Sequence, residues 1–150
     1  MYIISLFVLV VAFIILTVFG GTGSVVYFID LPSLLILLLI TIPILVSTGL
    51  FKDFMKSFQL VMEKKKVVSL IQLKKSMEGV SFTIKMNFYV GALLSLYGFV
   101  QVMVNFDGLE QIAPRLAISM LAFLYAIAIN IILLSIKYKL KAMILDFTQD

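Results

Sequence analysis

The chain has 150 residues, of which 63% are hydrophobic and only 13% charged, and its mean hydropathy is +1.18. A soluble domain is roughly half apolar and about a quarter charged, so this chain has too little polar surface to coat one. Its formal charge of +4 comes with no cysteine and no histidine, which excludes disulfides, Cys/His metal centres and thiol or imidazole catalysis.

Other catalytic chemistry is equally hard to place. A Ser-Lys pair needs a lysine in a pocket, and every lysine here lies in or beside a polar segment. The glycine-rich stretch Gly20, Gly21, Thr22, Gly23, Ser24 follows a membrane-length apolar run rather than a strand, so it reads as a turn and not as a phosphate loop. No enzymatic activity and no cofactor are expected. The basic residues gather beside the apolar runs, where anionic lipid headgroups would meet them; the lipid bilayer, and no nucleic acid, is the expected partner of that charge.

In chain order, residues 2–19 form the first apolar run, interrupted only by Ser5 and Thr17. About 20 helical residues cross the hydrocarbon core, so the length suffices. A cleaved signal peptide is the competing reading, and the missing basic n-region and the length of the run count against it. Asp30, Pro32 and Ser33 open the second span, predicted over 33–51. Proline is tolerated in a helix's first turn, and Asp30 suits the positive end of the helix dipole. Pro43 lies inside this span and predicts a kink there.

The segment 52–86 is the polar loop, with eight lysines against Asp53, Glu63 and Glu78. Phe51, Phe54, Met55, Phe58 and Met62 recur at helical spacing, which predicts that the second helix continues beyond the membrane along the headgroups or a neighbouring subunit. A short second helix near 67–77 is expected to return the chain. The third span is predicted over 87–104, followed by an acidic turn at Asn105, Asp107, Gly108 and Glu110. Pro114 and Arg115 open the fourth span, 114–136, and Lys137, Lys139 and Lys141 close it. The fold class is therefore an all-α integral membrane protein with four transmembrane helices in a single membrane domain over 1–150.

Charge sets the orientation. All lysines fall in 52–85 or after Ile136, whereas the opposite loops carry Asp30, Asp107 and Glu110. Positive charge stays inside, so both the N- and C-termini and the central loop are expected in the cytoplasm.

No ionisable residue falls deep within a predicted span, although pumps and carriers place one on their pathway. The third span has a stripe of small residues, Gly91, Ser95 and Gly98, and the fourth repeats it with Ser119, Ala122 and Ala126. Small residues let helix backbones approach closely in lipid, either within the chain or between subunits; Gly91, Gly98, Ser119 and Ala126 are the packing candidates. Gln101 and Asn130 are amides inside these spans, suited to interhelical hydrogen bonds or to a transport path.

One stretch is more specific. Phe28, Ile29, Asp30, Leu31, Pro32, Ser33, Leu34, Leu35, Ile36 closely resembles the signature that opens the second span of flagellar stator A-subunits, in the MotA/TolQ/ExbB proton-channel family. Lys52, Asp53 and Phe54 are similar to the family's helix exit. Gly98, Phe99, Val100, Gln101, Met103, Asn105, Phe106 and Asp107 resemble its third-span run and the turn after it. Leu116, Ala117, Leu124, Tyr125, Lys139 and Leu140 fall where its fourth-span pattern expects them. The resemblance covers nearly the whole chain, in order.

The resemblance implies a homopentameric ring in the bacterial plasma (inner) membrane around single-span partners of the MotB/TolR/ExbD kind. The partner would bring the ion-binding aspartate. Ser95 is then the first pore-lining candidate, with Asn130, Gln101 and Ala122 beside it. The departures are specific too. The family's third-span proline appears as Phe88 and its Gly-Thr pair as Leu94 and Ser95. Its fourth-span threonine pair falls on Ala122 and Phe123, and a later proline on Ser135. The short central loop leaves no room for the torque-transmitting domain of full stator subunits. A non-conducting membrane scaffold that keeps the fold is the alternative implied.

Overall fold

The computed structural model of the chain describes Val11, Ile15 and residues 30–62, 69–105 and 108–149. The predicted first span, 2–19, lies outside the described residues apart from Val11 and Ile15, both helical. The turn at 20–24, and Phe106 and Asp107, also lie outside them. The described residues form no strand and four longer helices: α1 (Leu31–Ser47), α2 (Phe51–Met62), α3 (Leu70–Val104) and α4 (Leu109–Gln149).

Two of these helices, α3 and α4, are long and apolar enough to cross a membrane by themselves, and α1 with α2 qualifies as a third, bent candidate. With 35 and 41 residues, α3 and α4 are about 50 and 60 Å long at 1.5 Å per residue, against a hydrocarbon core of about 30 Å. Their charge-free stretches, 86–104 and 116–136, match that thickness. Each helix exceeds that length, and the remainder carries Lys74, Lys75, Lys85, Lys137, Lys139 and Lys141.

α1 begins at a proline-bearing first turn, with Asp30 at the N-cap position. The helix passes through Pro43 without ending. The sharp break falls instead at Thr48–Leu50, where α1 and α2 meet at 103°. Ser47 Oγ donates to the Ile44 carbonyl (2.8 Å) and Thr48 Oγ1 to that of Leu45 (3.0 Å), so hydroxyls bond to the last carbonyls of the helix. Gly49 then takes φ +74°, the left-handed value that ends helices. α2 is therefore a separate element and not a straight continuation of the second span.

The buried face of α2 is also rotated from the expected stripe. Ser57, Leu60 and Val61 are buried, with Phe54 and Phe58 beside them, while Met55 and Met62 face outward. Phe54 and Phe58 stack edge to face at 5.2 Å. Lys139 of α4 donates to the Val61 carbonyl (2.8 Å), placing a cation at the negative end of α2.

The expected short helix near 67–77 and the separate third span at 87 are one element. Ser69 caps α3, its hydroxyl accepting from the Gln72 N–H (3.3 Å). Leu73, Ser76, Val80, Thr83, Asn87 and Val90 are buried in alternating steps of four and three, the spacing of a coiled-coil seam. That stripe crosses the predicted loop boundary without a phase change, and so does the helix. Likewise Pro114 lies inside α4 rather than opening it, and α4 continues past Ile136 through the lysine-rich tail.

α3 and α4 form an antiparallel hairpin, and the two shorter helices pack along it. One apolar cluster, Leu60, Val61, Leu73, Val80, Leu133, Ile136 and Leu140, joins α2 to the lysine-bearing end of the hairpin. A second cluster, Leu37, Val90 and Ala126, joins α1 to its middle. Gly79 lets α2 approach closely: a Cβ there would lie 3.0 Å from the Phe54 nitrogen.

Candidate functional site

The small-residue stripes of the third and fourth spans meet each other. A Cβ on Gly91 would lie 2.5 Å from Ala126 Cβ, and one on Gly98 would lie 2.7 Å from Ser119 Cβ. Between them Ser95 Oγ accepts a hydrogen bond from the Phe123 N–H at 3.3 Å, and Ala122 is buried. All six candidates therefore lie on one seam between α3 and α4 of a single chain. In lipid the apolar environment does not itself press helices together, so close backbone packing of this kind supplies much of the attraction.

Beside the seam Phe88 and Phe123 stand edge to face at 5.4 Å. They occupy the positions where the resembled pattern has a proline and a threonine. Phe88, half exposed, and Phe123 thus add aromatic bulk along the side of the seam.

Asn130 is buried, and its Nδ2 donates to the Ile84 carbonyl of α3 at 3.0 Å. This is the interhelical role that amides commonly take within a bilayer. Gln101 differs: it is exposed at the turn end of α3, where its Nε2 donates to Tyr97 Oη (3.0 Å) and its Oε1 accepts from Asn105 Nδ2 (3.2 Å). Arg115 completes this cluster by donating to the Asn105 carbonyl (3.1 Å) and to Gln111 Oε1 (2.6 Å). Gln101 thus helps tie the turn together and does not share a level with Ser95 or Asn130.

The signature residues form a polar knot of their own. Ser33 Oγ donates to Asp30 Oδ2, and the Asp30 N–H donates to Tyr125 Oη at 2.6 Å. Pro32 occupies the first turn of α1. Tyr125 lies ten positions beyond Arg115 along α4 and next to Ala126, whose methyl faces Gly91. The knot therefore ties the start of α1 to α4 through the end of the Tyr125 side chain. Asp30 itself stands at the N-cap of α1, the start of the second span, as expected. Tyr125 falls within the resembled fourth-span pattern, but a partner 95 positions away leaves no local mark of this role.

Two openings flank these groups. A cleft of about 270 Å³ lies between α1 and the seam, lined by Ser33, Leu94, Tyr97, Arg115 and Ser119 among others. A groove of about 380 Å³ runs along the hairpin past Lys85, Phe88, Tyr89, Ile127 and Asn130. Both have mainly apolar walls with one cation at the side. Among the described residues no group of three or more acidic, His or Cys side chains is placed to hold a metal.

Thr41 and Asn87 were not singled out as candidates in the sequence, yet both are buried between helices. Their signal was available: each is a polar residue in an apolar helical stretch. Comparison with protein-family models, with curated proteins and with solved structures gives no match to this chain.

Proposed function

We propose that the chain is a four-span subunit of a ring in the bacterial plasma membrane, with both termini in the cytoplasm. It would be similar to MotA/TolQ/ExbB subunits, take its ion-binding carboxylate from single-span partner helices, and have no catalytic activity. The observation that carries this reading is the uncovered apolar face of the hairpin. Phe88, Tyr89, Leu93, Leu96 and Tyr97 on α3, with Ile127 and Ile131 on α4, remain exposed beside fully packed seam residues. Such a face must be covered by lipid or by another protein surface. The ordered resemblance from Asp30 to Leu140 favours further copies of the same chain.

Native mass spectrometry of the protein released from lipid nanodiscs should give five copies. A stable monomer or dimer in both mild detergent and lipid would count decisively against the ring.

A second reading, a non-conducting scaffold of the same fold, is favoured by the contacts of the candidate path residues. The Ser95 hydroxyl and the Asn130 amide both bond within the chain, and Phe88 and Phe123 add aromatic bulk beside the seam. Proton flux into vesicles, with the partner co-expressed, separates the two readings. A conducting ring should lose most of its flux on Ser95→Ala; an assembled ring with no flux in either form is the scaffold.

A further inference from the structure

We propose that Thr41, Asn87 and Asn130 bind a water molecule in the interior of the chain, at the level where α1, α3 and α4 meet. Helix register brings the three residues to one level. Leu37, Val90 and Ala126 touch one another across the three helices. α1 and α4 both run opposite to α3. At one end Ser33 and Ile36 share a cleft with Tyr97, Gly98 and Ser119; further along, Leu50 and Phe54 approach Gly79. From the Leu37–Val90–Ala126 contact, one turn toward the lysine-bearing end leads to Thr41, Asn87 and Asn130 on their respective helices. The bond from Asn130 to the Ile84 carbonyl, 3.0 Å long, sets α3 and α4 level at that height.

All three residues are buried, with exposures of 4%, 3% and 7%. Thr41 Oγ1, Asn87 Oδ1 and Asn130 Oδ1 are each shielded from solvent and have no hydrogen-bond partner in the protein. The Asn130 amide cannot simply turn over, because that would replace its bond to the Ile84 carbonyl with an oxygen facing an oxygen. With Oδ1 of Asn87 as the buried atom, both amides leave an oxygen unpaired; oxygens only accept hydrogen bonds, so in this orientation the two asparagines do not satisfy each other. The threonine hydroxyl has one proton and satisfies one of them at most. The missing group is a donor of two protons, small enough for a helical interface.

Water and a monovalent cation both meet an oxygen-only site, and the electrostatics choose between them. The three oxygens are neutral, and the charge-free stretches of α3 and α4 provide no carboxylate. Lys85, two positions from Asn87, is itself positive. A buried cation without a counter-charge is strongly disfavoured. Immobilising one water costs less than leaving two amide oxygens bare in the interior, and buried waters commonly make two to four such bonds. The site lies within one chain and does not depend on ring assembly or conduction.

A structure of the lipid-embedded protein, at a resolution that shows ordered water, tests the proposal. A peak is expected within about 2.7–3.2 Å of at least two of the three oxygens. Asn87→Leu should abolish it while α1 stays docked through Leu37; Thr41→Val, nearly isosteric, should leave it on the two amides. An interior without a peak in the unmodified protein overturns the proposal. So does a melting temperature that rises with sodium but not with N-methylglucamine, which would identify a cation site instead.

Discussion

Gly91→Ala is expected to lower the stability of the α3–α4 hairpin by about 1–3 kcal/mol, the usual cost of an added methyl in a filled contact. Glycine-to-alanine changes inside helices ordinarily stabilise by about 0.5–1 kcal/mol through chain entropy, so the two effects oppose each other. Geometry decides the sign. The new methyl would lie 2.5 Å from Ala126 Cβ and 3.3 Å from the Ala122 carbonyl oxygen, and neither atom can rotate away. Ala126→Gly alone should cost about 1 kcal/mol of helix propensity. Together the two changes move the methyl from one helix to the other and relieve the clash. The double variant should therefore be about 1–2 kcal/mol more stable than the sum of the single effects. Reversible unfolding in mixed micelles, followed by circular dichroism, measures all four proteins. Strict additivity would show that α3 and α4 do not touch at this level.

Gly79→Leu should detach α2 from the hairpin. Its Cβ would meet the Phe54 nitrogen at 3.0 Å and the Leu50 carbonyl oxygen at 3.3 Å. Both are backbone atoms, so the first turn of α2 must move as a body. Ser57, Leu60 and Val61 would then lose their cover. This contact lies at the lysine-bearing end, beyond the charge-free stretches, where burial from water is worth about 1.5–3 kcal/mol for each large aliphatic side chain. Amide hydrogen exchange should show α2 losing protection while the charge-free parts of α3 and α4 keep theirs. Unchanged protection in α2 would mean that the close approach at Gly79 does not hold it.

Much of this arrangement can be traced to local patterns, though not at the boundaries that hydropathy suggests. The polar segment 52–86 reads as a loop because lysine dominates its average. In the structure Lys74, Lys75 and Lys85 project from the exposed side of α3, while Leu73, Val80 and Thr83 continue the buried stripe on the other. A helix is interrupted by backbone chemistry, not by a change of solvent. Its real stop signal was Gly49 and the hydroxyls of Ser47 and Thr48 before it, four to six positions after the conspicuous Pro43. Pro43 faces outward, where the loss of one hydrogen bond and the bulk of its ring disturb no packed neighbour.

Composition and periodicity by themselves determined that this chain is helical, apolar enough for a membrane, and basic at one end of its long helices. Those properties follow from each segment's own exchange with water and need no partner. They also marked the small residues at Gly91, Gly98, Ser119 and Ala126. Only the tertiary structure decided that these four face one another across a single hairpin. It also decided that Asp30 reaches Tyr125, and that Thr41 lies level with Asn87 and Asn130. The reason is physical: a lipid tail and a neighbouring helix are nearly alike in apolarity, so hydropathy records that a face leaves water but not what it meets. The meeting is set by backbone approach and by polar groups that must find partners, and both depend on pairs of residues far apart in the chain.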